Sequence, residues 1–233
     1  MTRRIKIFAL ATLFLASHGS ALGGGKASSQ SAPFAVAGVH FEQNSTDGDV
    51  EVVFAVKGGD EGLTKLRVVS PDDRTVIDFS APIASTLGIR SFSFESPEPR
   101  DIESLKSAYP AGGYTFTGST AAGHIFYGKS TLNHKLPAIA SLLLPGPDSR
   151  KVGIKDLKIA WRPVKDISGY ILEIEQDDLD IKMVAKLPAS ISMFTVPRSI
   201  LFPGKVYDLS IGTVNEGGNI SFIETSFTTI EKE

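Results

Sequence analysis

The chain has 233 residues, with 24 lysines and arginines against 26 aspartates and glutamates, and it contains no cysteine. This length allows one or two domains with a sizeable core, and 42% hydrophobic and 21% charged residues are typical of a globular protein. The formal net charge of −2 argues against a nucleic-acid-binding protein, which needs a basic surface. Without cysteine, disulfides, thiolate catalysis, cysteine-ligated zinc and iron–sulfur clusters are excluded.

Residues 1–21 predict a secretory signal peptide. Arg3, Arg4 and Lys6 precede a short apolar run, and a segment of small residues then ends at Ala21, which is the order found in signal peptides. About ten apolar residues are too few to cross a bilayer, which takes about twenty. The Arg3-Arg4 pair also fits a twin-arginine signal, but the residues that follow favour an ordinary Sec-type signal.

The signal peptide predicts an exported protein, periplasmic or extracellular, and we expect a bacterial host. No cysteine follows the apolar run, which argues against a lipid anchor, and no later segment is long and apolar enough to span a membrane. Residues 22–33 are mostly small and predict a flexible tether before the fold begins.

From Phe34 onward, apolar and polar residues alternate in short runs that end at turn residues, which is typical of β-strands. In the first half, residues 34–136, one short helix is predicted over residues 101–107, between Pro99 and Pro110. The predicted strands of this half lie within residues 50–56, 66–68, 77–79, 92–94, 114–118 and 124–132.

The second half, residues 137–233, has the same character. Its predicted strands lie within residues 157–161, 170–174, 183–186, 193–196, 207–213 and 220–228. About seven short strands in about 95 residues, with frequent turns, is the pattern of a β-sandwich. Residues 136–147 are rich in proline and small residues and predict the boundary between two domains.

The two halves share a short sequence pattern. Tyr109-Pro-Ala-Gly-Gly-Tyr114 and Phe202-Pro-Gly-Lys-Val-Tyr207 both place a proline four residues before a tyrosine that opens an alternating strand. The two tyrosines lie 93 residues apart, about the length of one sandwich domain. We therefore predict an all-β protein of two tandem Ig/fibronectin-III-like β-sandwiches, with one short helix in the first.

The second half resembles a fibronectin type III domain. The matching residues are Trp161 on an early strand, Gly169-Tyr170 at the start of the next, and Leu201–Tyr207. The last segment is similar to the tyrosine corner of that family, in which the hydroxyl bonds back to upstream backbone. The first half matches only at its proline–tyrosine pattern and is Ig-like. The resemblance implies a fold and a binding role, and it brings no catalytic residues.

One segment imitates a nucleotide-binding motif. Gly123-His-Ile-Phe-Tyr-Gly128-Lys129-Ser130 fits the phosphate-loop spacing, in which small residues let backbone N–H groups surround phosphates before a helix. Here the variable positions hold His, Ile, Phe and Tyr, which favour extended structure, and Pro137 leaves little room for a helix. We expect a hairpin strand.

Metal sites find little support. His40, His124 and His134 do not have the spacing that brings ligands together on one helix or strand face, and we expect them on the surface. Acidic residues cluster at residues 47–49, 72–73 and 177–180. Such loops could supply some calcium ligands, but no complete calcium-loop pattern appears, so solvated turns are the simpler interpretation.

Sugar-binding and hydrolytic functions stay open as alternatives. A sugar platform needs an exposed aromatic ring, and Trp161 is predicted in the core, which leaves Tyr109 and Tyr127. A carboxylate pair for glycoside hydrolysis could be assembled from distant strands, although no Gly-x-Ser-x-Gly nucleophile motif occurs.

The sequence thus predicts a non-enzymatic exported protein that binds another protein or a cell-surface component. No catalytic, cofactor-binding or metal site is predicted, no cofactor is expected, and neither nucleic acid nor an integral membrane segment is expected in the mature protein. Candidate contact elements are the hairpin loops around Gly123 and Gly217 and any unpaired edge strand, which could accept a strand from a partner. A carbohydrate-binding accessory protein is the first alternative, and an exported hydrolase the second.

Overall fold

The structure is a computed structural model that describes residues 31–81 and 88–231. The predicted signal peptide lies outside these residues, as does the tether as far as residue 30. The tether prediction is wrong at its end, because residues 31–33 form a short strand, β1, that pairs in parallel with residues 125–127. These three residues therefore belong to a sheet, although the small residues of the segment predict a flexible backbone.

Within the described residues the chain forms sixteen strands and one α-helix. In chain order they are β1 Ser31–Pro33, β2 Val36–Asn44, β3 Asp49–Lys57, β4 Lys65–Val69, β5 Thr75–Ser80, β6 Ser91–Glu95, α1 Ile102–Ala108, β7 Gly112–Ser119, β8 Ile125–Leu132, β9 Ser141–Leu144, β10 Ser149–Val152, β11 Lys158–Arg162, β12 Gly169–Gln176, β13 Ile181–Pro188, β14 Met193–Thr195, β15 Val206–Val214 and β16 Ile220–Thr229. Two short 3-10 turns lie at Asp177–Leu179 and Arg198–Ile200.

The described residues divide into two compact units. The first contains the residues up to Val39, with Val52–Ser96 and Lys106–Leu132, and the second contains the remainder, including His40–Glu51. The second unit is discontinuous in sequence because the tip of the β2–β3 hairpin belongs to it. The domain boundaries predicted from sequence, at residues 34–136 and 137–233, stay a prediction.

The first unit is a two-layered β-sandwich. One sheet has the strand order β1-β8-β7-β4-β5, and β2, β3 and β6 are neighbours in the other. Phe54 on β3 packs against two aromatic rings of β7, with ring centroids 5.7 Å from Tyr114 and 6.5 Å from Phe116. Side chains of the two inner faces therefore interdigitate, as expected of packed sheets.

The second unit is a β-sandwich as well. Three strands follow the order β14-β11-β9, and four follow β13-β12-β15-β16, with β10 parallel to the end of β16. Trp161 is buried, and its ring lies edge to face with Tyr170 at 5.1 Å, as predicted. The remaining fully enclosed core side chains of this unit include Ile154, Ile159, Leu172, Ile174, Leu201, Tyr207, Leu209, Ile211 and Phe227. The predicted all-β sandwich class is confirmed.

Both units follow one strand plan. In each, the first, second and fifth main strands are neighbours in one layer, and the other layer contains the last strand paired with the one before it. In each, a further short strand, β1 or β10, pairs in parallel with that last strand. The shared pattern around Tyr114 and Tyr207 in the sequence therefore marks equivalent positions, at the start of β7 and β15.

The tyrosine corner predicted for the second unit is present. The Tyr207 hydroxyl donates to the Ile200 carbonyl at 2.9 Å and accepts from the Phe202 N–H at 2.8 Å. In the first unit, the Tyr114 hydroxyl donates to the Pro110 carbonyl at 3.1 Å, and burial raises the pKa of Tyr114 to about 12. Each buried ring thus pins the connection that leads into its strand.

A buried amide joins three segments of the second unit. Asn219 Oδ1 accepts from the Phe41 N–H at 2.8 Å, and its Nδ2 donates to the carbonyl oxygens of Asn133 at 2.8 Å and Lys135 at 2.9 Å. Beside it, residues 220–222 of β16 pair in parallel with residues 42–44 of β2. Since a buried backbone group is costly when unpaired, this amide fixes where the hairpin tip lies.

We expect Tyr207→Phe to lower the free energy of unfolding by about 1–2 kcal/mol, because the Phe202 N–H and the Ile200 carbonyl lose their partner. Urea unfolding followed by Trp161 fluorescence measures the change in the second unit. Tyr127→Phe is the control, since that tyrosine is exposed. Equal stability of Tyr207→Phe and wild type would show that the corner acts through ring packing alone.

Candidate interaction surfaces

The segment that imitates a phosphate loop is a strand, as predicted. Gly123 lies in the turn before β8 with φ +85°, and residues 125–132 pair along β7. Gly128 is a packing residue, because a Cβ at this position would come within 2.6 Å of Ala37 Cβ and 3.2 Å of the Phe34 ring. The glycine therefore allows β8 to approach the start of β2, a role unrelated to phosphate.

The three histidines of the described chain are not brought together. His40 is only 2% exposed and its Nε2 lies 3.1 Å from Glu42 Oε2, so the expectation of a surface histidine is wrong there. The carboxylate partner compensates for the burial of the ring. His124 lies at the surface beside Glu61, and the His134 ring packs against Phe41 with centroids 5.4 Å apart.

The acidic turns are occupied by local partners. The Ser70 hydroxyl donates to Asp72, and Arg74 pairs with the same carboxylate at 2.6 Å; these contacts lower the pKa of Asp72. In the second unit, Lys205 Nζ lies 3.2 Å from Asp178. Within residues 31–81 and 88–231, no group of three or more His, Asp or Glu side chains is arranged to hold a metal ion.

The two predicted contact loops differ. A Cβ at Gly123 would meet no atom within 4 Å, so the β7–β8 turn is open. Gly217 is packed against the side chain of Asn133, so the β15–β16 turn is part of the buried amide network. The long edge strand β13 carries Lys182 and Lys186 and ends at Pro188, which are residues that protect an edge against strand addition.

Of the aromatic rings that could stack on a sugar, the ring of Tyr127 is exposed. Tyr127 is 52% exposed, whereas Tyr109 packs against Phe54 with centroids 6.0 Å apart, and Trp161 is in the core. Tyr127 lies on the outer face of the first unit's larger sheet, directly across from Thr117. An exposed ring on a flat sheet face is suited to stacking.

The same outer face carries an open groove of about 430 Å³. Its charged side chains are Lys65 and Arg67 on β4 and Asp78 on β5. Hydroxyl groups of Ser80, Thr117 and Ser119 line it as well, and its apolar lining comes from Leu66, Phe79, Gly118 and Ile125. We call this surface the polar groove.

The second unit exposes an apolar surface on its three-stranded sheet. Leu144 on β9 and Met193 on β14 flank Ala160 on β11 in register, and they are 55% and 49% exposed. Leu143, which precedes Leu144, and Ile191, two residues before Met193, are exposed as well. We call these five residues the apolar patch. Groups of large apolar side chains on a surface are a feature of contact surfaces.

A buried carboxylate lies on the other sheet of the second unit. Glu173 is 2% exposed, and its Oε2 lies 3.9 Å from Lys182 Nζ. Burial is the main cause that raises the pKa of Glu173 to about 7; Lys182 opposes the rise, and Glu175, Glu42 and Glu224 add to it. This residue is a titratable group of the folded state near neutral pH.

Sequence reasoning missed both surfaces. Each had a signal: the polar positions of the strands at residues 65–69 and 75–80 face one side, and Ser141-Leu-Leu-Leu144 is an apolar run without alternation. The run lies within the predicted domain boundary, residues 136–147. Alternation identifies the buried face of a strand, but it does not show which outward residues of different strands become neighbours.

The described chain contains no helix long and apolar enough to cross a bilayer.

No family model matches the sequence, and no curated protein does. Among solved structures, the fibronectin(III)-like modules of Clostridium thermocellum CbhA are similar, at 12% identity and a TM-score of 0.34, covering 84% of this chain and 91% of that one. A two-domain fibronectin type III segment of chicken tenascin is similar at 14% identity and a TM-score of 0.31, covering 82% and 97%. The features that the second unit shares with a fibronectin type III domain are its strand order and its tyrosine corner.

We expect Gly128→Ala to destabilise the first unit by about 1–3 kcal/mol, because the added methyl group would overlap Ala37 in a packed layer. Thermal unfolding measures the effect. Gly113→Ala on β7 is the matched control, since a Cβ there would meet nothing within 4 Å. Equal losses in the two variants would show that glycine flexibility, and not space, decides the residue at 128.

We expect Glu173→Gln to reduce the pH dependence of stability. The pKa of Glu173 in the folded protein, about 7, exceeds the usual 4.5. The protonated carboxyl therefore contributes to the free energy of unfolding fully below pH 4.5, and this contribution is lost as the pH rises through 7. The variant should therefore be more stable than wild type at pH 8, by about 1–3 kcal/mol, and should differ least at pH 5. Urea unfolding at both pH values, with Glu175→Gln as control, tests this; parallel pH curves for wild type and Glu173→Gln would contradict it.

Proposed function

We propose that this chain is a non-enzymatic, exported binding protein that contacts a partner protein through the apolar patch of its second unit. The observation that carries the proposal is the exposure of Leu144 and Met193 on either side of Ala160. A signal-peptide pattern in residues 1–21 supports export to the periplasm or the medium. The absence of a nucleophile motif from the sequence supports a binding role.

The apolar patch lies on a rigid support. Its central strand β11 pairs with β9 on one side and β14 on the other, and its inward side chains Ile159 and Trp161 are buried in the core. The outward side chains are therefore fixed by the pleat of the sheet and need little ordering on binding. Preorganised apolar side chains of this kind favour protein contacts, because less conformational entropy is lost.

The charges around the patch indicate the partner's chemistry. Lys158 and Arg162 lie on β11 two residues before and after Ala160, so they point to the same face as Ala160. A complementary partner would present an apolar centre with acidic residues at its rim. Lys158 and Arg162 would repel the same residues of a second copy placed opposite them. This repulsion disfavours a dimer in which two apolar patches face each other in that way.

The proposal is tested with Leu144→Lys and Met193→Lys, which place a charge in the patch without altering the core. Affinity capture from the native envelope and medium, with residues 22–233 as bait, should recover a partner protein with wild type. Because truncating or charging a central apolar contact weakens binding by about tenfold or more, both variants should lose it. The captured partner, once purified, gives the affinities directly.

Val206→Lys is the matched control, since Val206 is an exposed apolar residue on the other sheet of the same unit. The control should bind like wild type, and all three variants should melt like wild type. Equal capture by patch and control variants, or no saturable partner for the wild-type chain, would overturn the proposal.

A further inference from the structure

The polar groove of the first unit and the Tyr127 ring beside it place cations, hydroxyl groups and an exposed aromatic ring in two parallel rows on one sheet face. Strand register places Asp78, Arg67, Thr117 and Tyr127 in one row across β5, β4, β7 and β8. The adjacent row contains Ser80, Lys65, Ser119 and Ile125. Since neighbouring strands lie about 4.8 Å apart, each row is roughly 14 Å long. The face is therefore elongated, and its first row presents a different chemical group at every strand.

The guanidinium of Arg67 is held in place. Its Nε and Nη2 donate to the Thr75 hydroxyl at 3.2 and 2.7 Å, which leaves the Nη1 edge for a ligand. Within the described ranges, no carboxylate lies within ion-pair distance of Lys65 or Arg67. A fixed guanidinium matches the two oxygens of a carboxylate or sulfate, and less entropy is lost when they bind.

The ring of Tyr127 lies two strands from Arg67, at the other end of the row. Lys129, two residues further along β8, points to the same side of the sheet. Three cations thus face one aspartate around this surface, which favours an anionic ligand. The aromatic face offers an apolar surface to the C–H face of a sugar ring, and the hydroxyl groups between the ring and the cations can exchange hydrogen bonds with sugar hydroxyls.

We propose that the polar groove and the adjacent Tyr127 ring bind an acidic oligosaccharide, with a sugar ring on Tyr127 and an acidic substituent on Arg67. An acidic peptide would satisfy Lys65 and Arg67, but it would leave the row of hydroxyl groups and the exposed ring unused. This site lies in the first unit and is independent of the apolar patch and of the protein partner proposed for it.

The test is calorimetric titration of residues 22–233 with oligogalacturonate, beside neutral maltotriose and poly-glutamate of matched charge. Oligogalacturonate should bind saturably, and its affinity should fall as salt is raised, because ionic contacts are screened. Arg67→Gln and Tyr127→Ala should each weaken binding by about tenfold or more. Arg90→Gln is the control, since Arg90 is exposed in the same unit but does not line the groove.

Several results would overturn the inference. Equal binding of maltotriose would refute the requirement for acidic groups, and equal binding of poly-glutamate would show a cation surface without sugar recognition. Saturable oligogalacturonate binding that survives Arg67→Gln and Tyr127→Ala would place the site elsewhere. No binding of oligogalacturonate by folded wild-type protein would refute the proposal. Leu144→Lys should leave this titration unchanged, so failure here and failure of the protein-binding proposal can be told apart.

Discussion

The pairing register of the sheets is the constraint on which the other features of this protein depend. Side chains alternate between the two faces of a strand, so once a register is set, every inward residue fixes an outward neighbour. Burial of Trp161 on β11 is what sends Ala160 outward between Leu144 and Met193. Burial of Leu66 and Val68 on β4 sends Lys65 and Arg67 into the polar groove. The chemistry of each outer surface thus follows from how its core is packed.

Polar groups inside the sandwiches hold that register. The Tyr207 hydroxyl satisfies backbone groups of Ile200 and Phe202, just before it in the chain. The Asn219 amide satisfies backbone groups of Phe41 and Asn133, which are distant in the chain. A hydrophobic core alone tolerates sliding of one layer over another, whereas a buried hydrogen bond has a single geometry. Tyr114 performs the equivalent role in the first unit with one bond. The repeated corner therefore explains why two sequences of different composition adopt one strand plan.

The two outer surfaces differ in chemistry and lie in different units. The apolar patch presents exposed aliphatic side chains on paired strands and is suited to a protein surface. The polar groove keeps its charges hydrated and directional, and is suited to a ligand rich in hydroxyl and acidic groups. Glu173, the buried carboxylate with a raised pKa, lies on neither surface.

Local sequence was sufficient for the all-β class, the single short helix, the strands β11 to β16 of the second half, the tyrosine corner and the core position of Trp161. These features depend on residue periodicity and on contacts within a few residues, which the sequence displays directly. It also showed that the segment at Gly123–Ser130 favours a strand, because His, Ile, Phe and Tyr resist a phosphate loop.

Only the tertiary structure decided which loops and faces are free. The packing of Gly217 against Asn133 joins two segments that lie more than eighty residues apart in the chain. The burial of His40 beside Glu42 depends on the layers that surround β2. The same holds for the rows of the polar groove and for the apolar patch, because cross-strand neighbours come from different strands whose register no local pattern specifies. The sequence by itself determined what each strand is made of, and the tertiary pairing determined which of those side chains act together.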